Sequence, residues 1–246
     1  MTVTSTDLPT RRNASATLAM LLADSRLPAG AHVSSNGLEA GLRHSLAANE
    51  VADYMHTRMA TVVRVEAGTA VIARHLATEE HAADGGAGPT KDAAAVSDGL
   101  GALEAEWAAR TPSPALRDIT VALGAGLARI GQTLWPQTAA VLRPRPLPRP
   151  IVLGVIAAGA GIGPADLVRL VAYDDAQTVS AAVLKLEPTD PIRVTGWVLD
   201  ACAAMEGSVS DLSRLTRPEA LPASGAPLIE DWAEVQSVLP RRLFRA

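Results

Sequence analysis

Few side chains in this sequence have types and spacings that could carry chemistry. The five histidines, His32, His44, His56, His75 and His81, never stand three or four residues apart, so no two share a helix face as a pair of metal ligands. Cys202 is the single cysteine and has no partner for a thiolate pair. No metal site is expected from these residues. Asp174-Asp175 matches the first two positions of a magnesium-binding Asp-Asp-x-x-Asp motif, but Thr178 occupies the fifth, where the third carboxylate belongs. The bland reading is an acidic helix start set against the positive end of the dipole. The rival reading is an all-helical, magnesium-dependent enzyme acting on a hydrophobic substrate. With one Phe and two Tyr, the chain has few rings to shelter a carbocation in such a site.

Gly159-Ala160-Gly161-Ile162-Gly163 follows an apolar run, but its G-x-G-x-G spacing misplaces the third glycine of a dinucleotide fingerprint and no βαβ alternation surrounds it. It reads as a corner between two helices, with Pro164 in the first turn of the second and Asp166 near its dipole. There is no G-x-x-x-x-G-K-[ST] and no G-x-S-x-G, so neither P-loop nor serine-hydrolase chemistry is expected. No catalytic residue and no cofactor follow from any motif. Two charges do stand in apolar surroundings. Glu39 lies just inside a helix in Asn36-Gly37-Leu38-Glu39-Ala40. Lys185 ends the apolar run Ala181-Ala182-Val183-Leu184-Lys185-Leu186. An ammonium there must snorkel, pair with a carboxylate or project into an interface, because unpaired burial is costly; a pairing near a partner surface is expected.

The elements that position these residues read as helices throughout. Apolar residues are mostly Ala, Leu and Val with 3% aromatics, which favours helix over strand. Residues 1–12 read as a disordered tail, and Asn13 as a cap for Ala14–Ala23. A turn follows at Leu27-Pro28-Ala29-Gly30, helical spacing resumes over Ser35–Leu46, and Val51–Ala77 forms a long periodic segment bent near Gly68. Residues 79–95 read as a flexible Gly-rich loop. Helices are expected over Val96–Ala109 and Ala115–Leu134, then an extended Pro-rich connector at 143–150. Further helices cover Ile151–Ala160, Pro164–Tyr173, Ala176–Leu186 and Ile192–Met205. The expected whole is an all-α, single-domain bundle of roughly eight to ten helices over 13–206, followed by a loose segment and tail over 207–246.

With 246 residues, 48% hydrophobic and 20% charged, most of the chain should fold around a substantial core. A net charge of −4 without a basic stripe argues against nucleic acid as partner. The longest apolar stretch, Ile151–Gly163, is too short to span a bilayer, and Met1–Arg12 lacks the apolar core of a signal peptide. A cytoplasmic protein is expected.

Three segments together resemble the urease accessory protein UreF family. Leu21 to Glu39 is similar to its helix, Pro-x-Gly turn (Pro28, Gly30) and Gly-Leu-Glu motif (Gly37, Leu38, Glu39). Ser180 to Pro188 is similar to its C-terminal apolar helix, with Lys185 in the basic-apolar-x-Pro pattern. Arg242-Leu243-Phe244-Arg245-Ala246 resembles its terminal Arg-Leu-Phe-Arg-Ser. His32, Val33 and Ser34 depart from the family's aromatic-containing corner, and Thr189-Asp190-Pro191 from its Gly-Gln. The resemblance implies an all-α homodimer without catalytic activity or resident metal. It implies binding to the accessory protein UreD (also called UreH), recruitment and regulation of the GTPase UreG, and assistance to nickel insertion into apo-urease. Partner contact is then expected at Glu39, Lys185 and the tail residues Arg241, Arg242, Leu243, Phe244 and Arg245. In that picture the tail binds outward, and the core would not notice its removal.

Overall fold

Proline starts most of the long helices of this chain. In a computed structural model that describes residues 7–24, 26–29, 33–78 and 93–244, the elements are α1 (Asp7–Ala23), α2 (Leu38–His44), α3 (Val51–Ala60), α4 (Val62–Thr78), α5 (Ala93–Ala109), α6 (Pro114–Leu134), α7 (Ala139–Leu142), α8 (Arg149–Ala160), α9 (Pro164–Leu186), α10 (Pro191–Leu212) and α11 (Pro227–Val238). Pro114, Pro150, Pro164, Pro191 and Pro227 all sit in first turns, where the missing amide would have had no intrahelical acceptor. Ser113 caps α6 by accepting from the Leu116 amide at 3.0 Å, and Asp190 caps α10 by accepting from Ile192 at 3.0 Å. No strand occurs among the described residues. The fold is an all-α bundle.

α8 is its centre. The apolar run from Ile151 to Ala157 is buried on every side, and α4 lies along it in the most extensive helix pairing of the molecule. Gly154 permits that closeness: a Cβ there would stand 2.2 Å from the Ala70 carbonyl oxygen of α4. α9 and α10 pack against each other and onto α4 and α3, and α6 covers the other flank of α8. The glycine-rich corner after α8 is built as its sequence suggests. Gly161 closes the helix in the left-handed region (φ 72°), and Gly163 and Pro164 open α9.

Several boundaries differ from the sequence reading. α1 begins at Asp7, inside the stretch expected to be tail, and α5 begins at Ala93, inside the stretch expected to be loop; the rest of that loop, 79–92, lies outside the described residues. The long segment from Val51 breaks at Thr61, whose backbone leaves the helical region (φ −126°, ψ −92°) while its hydroxyl donates to the Thr57 carbonyl at 2.6 Å, and not at Gly68. Gly68 instead admits Leu221 and Leu215, which a Cβ would meet at 3.0 and 3.1 Å. α9 is one helix where two were expected, so Asp174 and Asp175 lie in its middle. Within the stretch 207–246, expected to be loose, the described residues 207–244 are ordered into the bundle: α10 continues to Leu212, α11 follows, and the chain after it is bonded to the bundle up to Phe244.

Candidate functional site

Glu39 occupies the node where α2, α11 and the chain end meet. Asn36 (φ 54°) and Gly37 (φ 82°) take left-handed conformations that turn the backbone into α2, and Leu38, Glu39 and Ala40 are then fully buried. Gly41, one turn from Gly37, lies flat against Trp232 of α11, whose ring a Cβ would meet at 3.1 Å. With α11 seated so closely, Glu39 Oε1 accepts from the Leu243 amide at 2.8 Å and Oε2 from the Phe244 amide at 2.9 Å. Gln236 donates to Glu39 Oε2 at 3.1 Å and to the Phe244 carbonyl at 3.0 Å, and Arg43 pairs with Oε1 at 2.6 Å. Burial by itself would raise the Glu39 pKa, but the Phe244 and Leu243 amides, Gln236 and Arg43 outweigh it and hold the carboxyl below its usual range.

Lys185 joins the same site from α9. It is exposed in the last turn, and its ammonium stands 5.1 Å from the centre of the Phe244 ring, which is itself buried beneath it. The expected carboxylate partner is thus replaced, among the described residues, by the face of an aromatic ring. Arg242 bends back to donate to the Gln236 and Ser237 carbonyls at 2.7 and 2.8 Å, closing the C-terminus of α11. Leu243 points outward, 61% exposed, beside exposed Arg241. Pro28 is exposed in the turn after α1; Gly30 and Arg245 lie outside the described residues. Glu39, Lys185 and the tail, far apart in sequence, therefore meet at one node, with Glu39 and Phe244 buried in it and Lys185 and Leu243 exposed over it.

Gln236 was missed by the sequence reading. Its signal was available: Ile229, Trp232 and Gln236 recur three and four apart, which puts an amide on the buried face of α11.

Beside this node lies a cavity of about 300 Å³ between α4, α6, α9 and α11. Asp174 and Asp175 face it, and they do not form a solvated helix start. Arg58 grips Asp175 at 2.6 and 2.9 Å, and Arg149 grips Asp174 at 2.7 and 3.1 Å. Asn36 adds a third donor to Asp175 at 2.9 Å, while its own carbonyl accepts from Arg58 and from the Tyr54 hydroxyl. Both carboxylates are spent on guanidinium groups, the arrangement opposite to an open magnesium site. No cluster of three or more His, Cys, Asp or Glu side chains able to hold a metal ion occurs among the described residues. Glu66, on the cavity wall, accepts from the Trp107 indole at 3.0 Å; burial pushes its pKa up to about 7, against the Trp107 hydrogen bond and the Arg149 charge. No helix among the described residues is long and apolar enough to cross a membrane.

A sequence profile of the family described as UreF matches residues 46–202. The chain belongs to the UreF family. Relatives named urease accessory protein UreF extend the likeness beyond that profile in both directions. One from Mycobacterium sp. (strain JLS) is 31% identical over 235 residues, spanning 93% of this chain and 97% of the relative. One from Mycobacterium marinum (strain ATCC BAA-535 / M) is 31% identical over 242 residues, 93% of this chain and 98% of the relative. A third, from Mycobacterium tuberculosis (strain ATCC 25177 / H37Ra), is 33% identical over 180 residues, 72% of this chain and 75% of the relative. Lys185 lies inside the span that the UreF profile matches, and Glu39 and Phe244 lie outside it. These relatives carry the name of an accessory protein and not of a catalyst.

Proposed function

We propose that this UreF-family chain is a urease accessory protein that works in the cytoplasm as a homodimer. It binds an accessory protein of the UreD (UreH) type, recruits and regulates a UreG-type GTPase, and so assists nickel insertion into apo-urease. The observation that carries this reading is the convergence of Lys185 and the chain end on one surface, held from beneath by buried Glu39. Family membership supplies the process, and the shared surface supplies a place for the contact.

The roles within that surface divide by exposure. Glu39 and Phe244 are buried and act as positioning residues; Leu243, Lys185 and Arg241 are the side chains a partner would touch. An exposed Leu flanked by cations suits a partner with an apolar pocket rimmed by carboxylates. The test is co-elution of the chain with a co-expressed UreD-type protein. Leu243→Asp combined with Lys185→Glu should abolish co-elution while lowering the melting temperature of the isolated chain by only a few degrees, the loss expected for one exposed cation–π contact. Undiminished co-elution of that double variant would remove the surface from the account.

A further inference from the structure

Among the described residues, the charges buried around the polar cavity do not pair off evenly. Arg58 of α3 is matched by Asp175, and Arg149 of α8 by Asp174, two guanidinium groups against two carboxylates of α9. Glu66 of α4 is a third carboxyl on the same wall, and its hydrogen bond comes from a neutral donor, the indole of buried Trp107 on α5. Asp118 of α6 and Arg242 after α11 stand at the exposed rim, one charge of each sign, and α10 contributes no residue to the wall. An ionised Glu66 therefore adds a negative charge to a buried space, which is costly unless a cation turns towards it.

Arg149 is the cation placed to do so. α4 and α8 run the same way along each other: Gly154 abuts Ala70, and Arg74, one turn on in α4, donates to the Ile162 carbonyl beyond the end of α8. About one turn back from Ala70 and from Gly154 stand Glu66 and Arg149, at one level of the helix pair, and the Arg149 charge acts on the Glu66 carboxyl there. Burial nevertheless keeps that carboxyl protonated until about pH 7, and Arg149 sets both terminal nitrogens on Asp174, at 2.7 and 3.1 Å. Asp174 depends on this grip, because burial raises its pKa and Arg149 draws it down. One guanidinium thus stands between two buried carboxyls.

We infer that Glu66, Arg149 and Asp174 form a proton-operated clamp. With Glu66 protonated, Arg149 ties α8 to α9 through Asp174. When Glu66 releases its proton to solvent through the cavity, the guanidinium turns to share itself between Glu66 and Asp174. The tie between α8 and α9 weakens as a tie between α8 and α4 forms. α9 also carries Lys185 in its last turn, so the clamp links the surrounding pH to the proposed partner surface. That last link rests on the partner surface; the exchange of ion-pair partners does not.

Carbon-13 spectra of the full chain, labelled at the Asp and Glu carboxyl carbons, test the exchange. Followed from about pH 5 to about pH 9, the Asp174 signal should step at the midpoint at which Glu66 titrates, and the step should vanish in Glu66→Gln, which keeps an acceptor for Trp107. A double-mutant cycle of Arg149→Met and Asp174→Asn in urea reads the clamp itself. The coupling, expressed as a ratio of unfolding constants, should fall about tenfold between about pH 6 and about pH 8 in the parent background and stay constant in the Glu66→Gln background. An Asp174 signal that is flat across the Glu66 midpoint would overturn the clamp, as would a coupling that ignores pH or that varies equally without Glu66. Should Arg149→Met fail to fold, the spectra of the parent and of Glu66→Gln decide alone. Both measurements use the isolated chain, so their outcome is separate from that of the co-elution experiment.

Discussion

Phe244 donates its backbone amide to Glu39 Oε2 across 2.9 Å, joining residues 205 positions apart. Two segments near opposite ends of the chain thus meet inside one molecule, and the Phe244 ring, expected to anchor a partner, is buried beneath Lys185 of the chain's own α9.

The tail is therefore structural. Deleting Arg241–Ala246 should lower the melting temperature by roughly 5 °C or more, because burial of one Phe side chain is worth about 1.5–3 kcal/mol and each kcal/mol shifts a domain of this size by several degrees. A melt that coincides with the full chain's would restore the picture of an outward tail.

Glu39→Ala should cost roughly 3–5 kcal/mol in urea denaturation, since it leaves buried donors from Leu243, Phe244 and Gln236 without their acceptor. The pH dependence has a definite sign. The Glu39 pKa is depressed in the folded chain, so its contribution is present above the usual carboxylate pKa and lost as pH falls through the lowered value. Acid should accordingly free 239–244 before it melts α8, a sequence that residue-resolved amide exchange would detect.

Glu66 acts in the opposite direction. Its folded pKa is raised from 4.5 to about 7, so its stabilising contribution is complete below 4.5 and is lost as pH rises through about 7. Glu66→Gln keeps an acceptor for Trp107 and should remove this slope, raising stability at pH 8 by on the order of 1–3 kcal/mol. Parallel stability–pH curves for the two proteins between pH 5 and 8 would contradict the assignment.

Asp175→Ala strands the Arg58 guanidinium, which is 3% exposed, and should cost about 3–5 kcal/mol. Adding Arg58→Met to it should recover much of the loss by substituting an apolar side chain of similar length. Magnesium should not shift the melting temperature of the parent chain. A saturable magnesium-dependent rise, abolished in Asp174→Ala, would reopen the enzymatic reading.

Gly154→Ala should destabilise by at least 1–3 kcal/mol, the usual cost of overpacking, because its Cβ would collide with the Ala70 carbonyl that α8 rests against. A neutral result in thermal or chemical denaturation would mean that α4 and α8 separate more easily than their packing implies.

Much of the fold was legible because helix starts carry local chemistry: Ser113-Pro114, Gly163-Pro164 and Asp190-Pro191 all mark boundaries within a residue or two of where α6, α9 and α10 begin. What failed was long-range. Asp174-Asp175 looks like a helix opening until Arg58 and Arg149, distant in sequence, are seen to neutralise it from α3 and α8. The tail looked free because Pro240 ends regular structure, yet a chain without helix can still be bonded through its amides, and no periodicity reports that. Glu39 and Lys185 stand out as charges in apolar surroundings, and the family resemblance adds partner contact as their role; Gln236, which holds Glu39 to the chain end, was readable from the spacing of α11 alone.

The Glu39–Phe244 contact also orders events in time. Closing a loop of 205 residues in an open chain would cost about 5 kcal/mol of entropy before any contact rewarded it. The local helix pairs, α9 with α10 above all, close far smaller loops and form without that penalty. The clasp at Glu39 is thus among the last contacts to assemble during folding, on a bundle that has already taken shape.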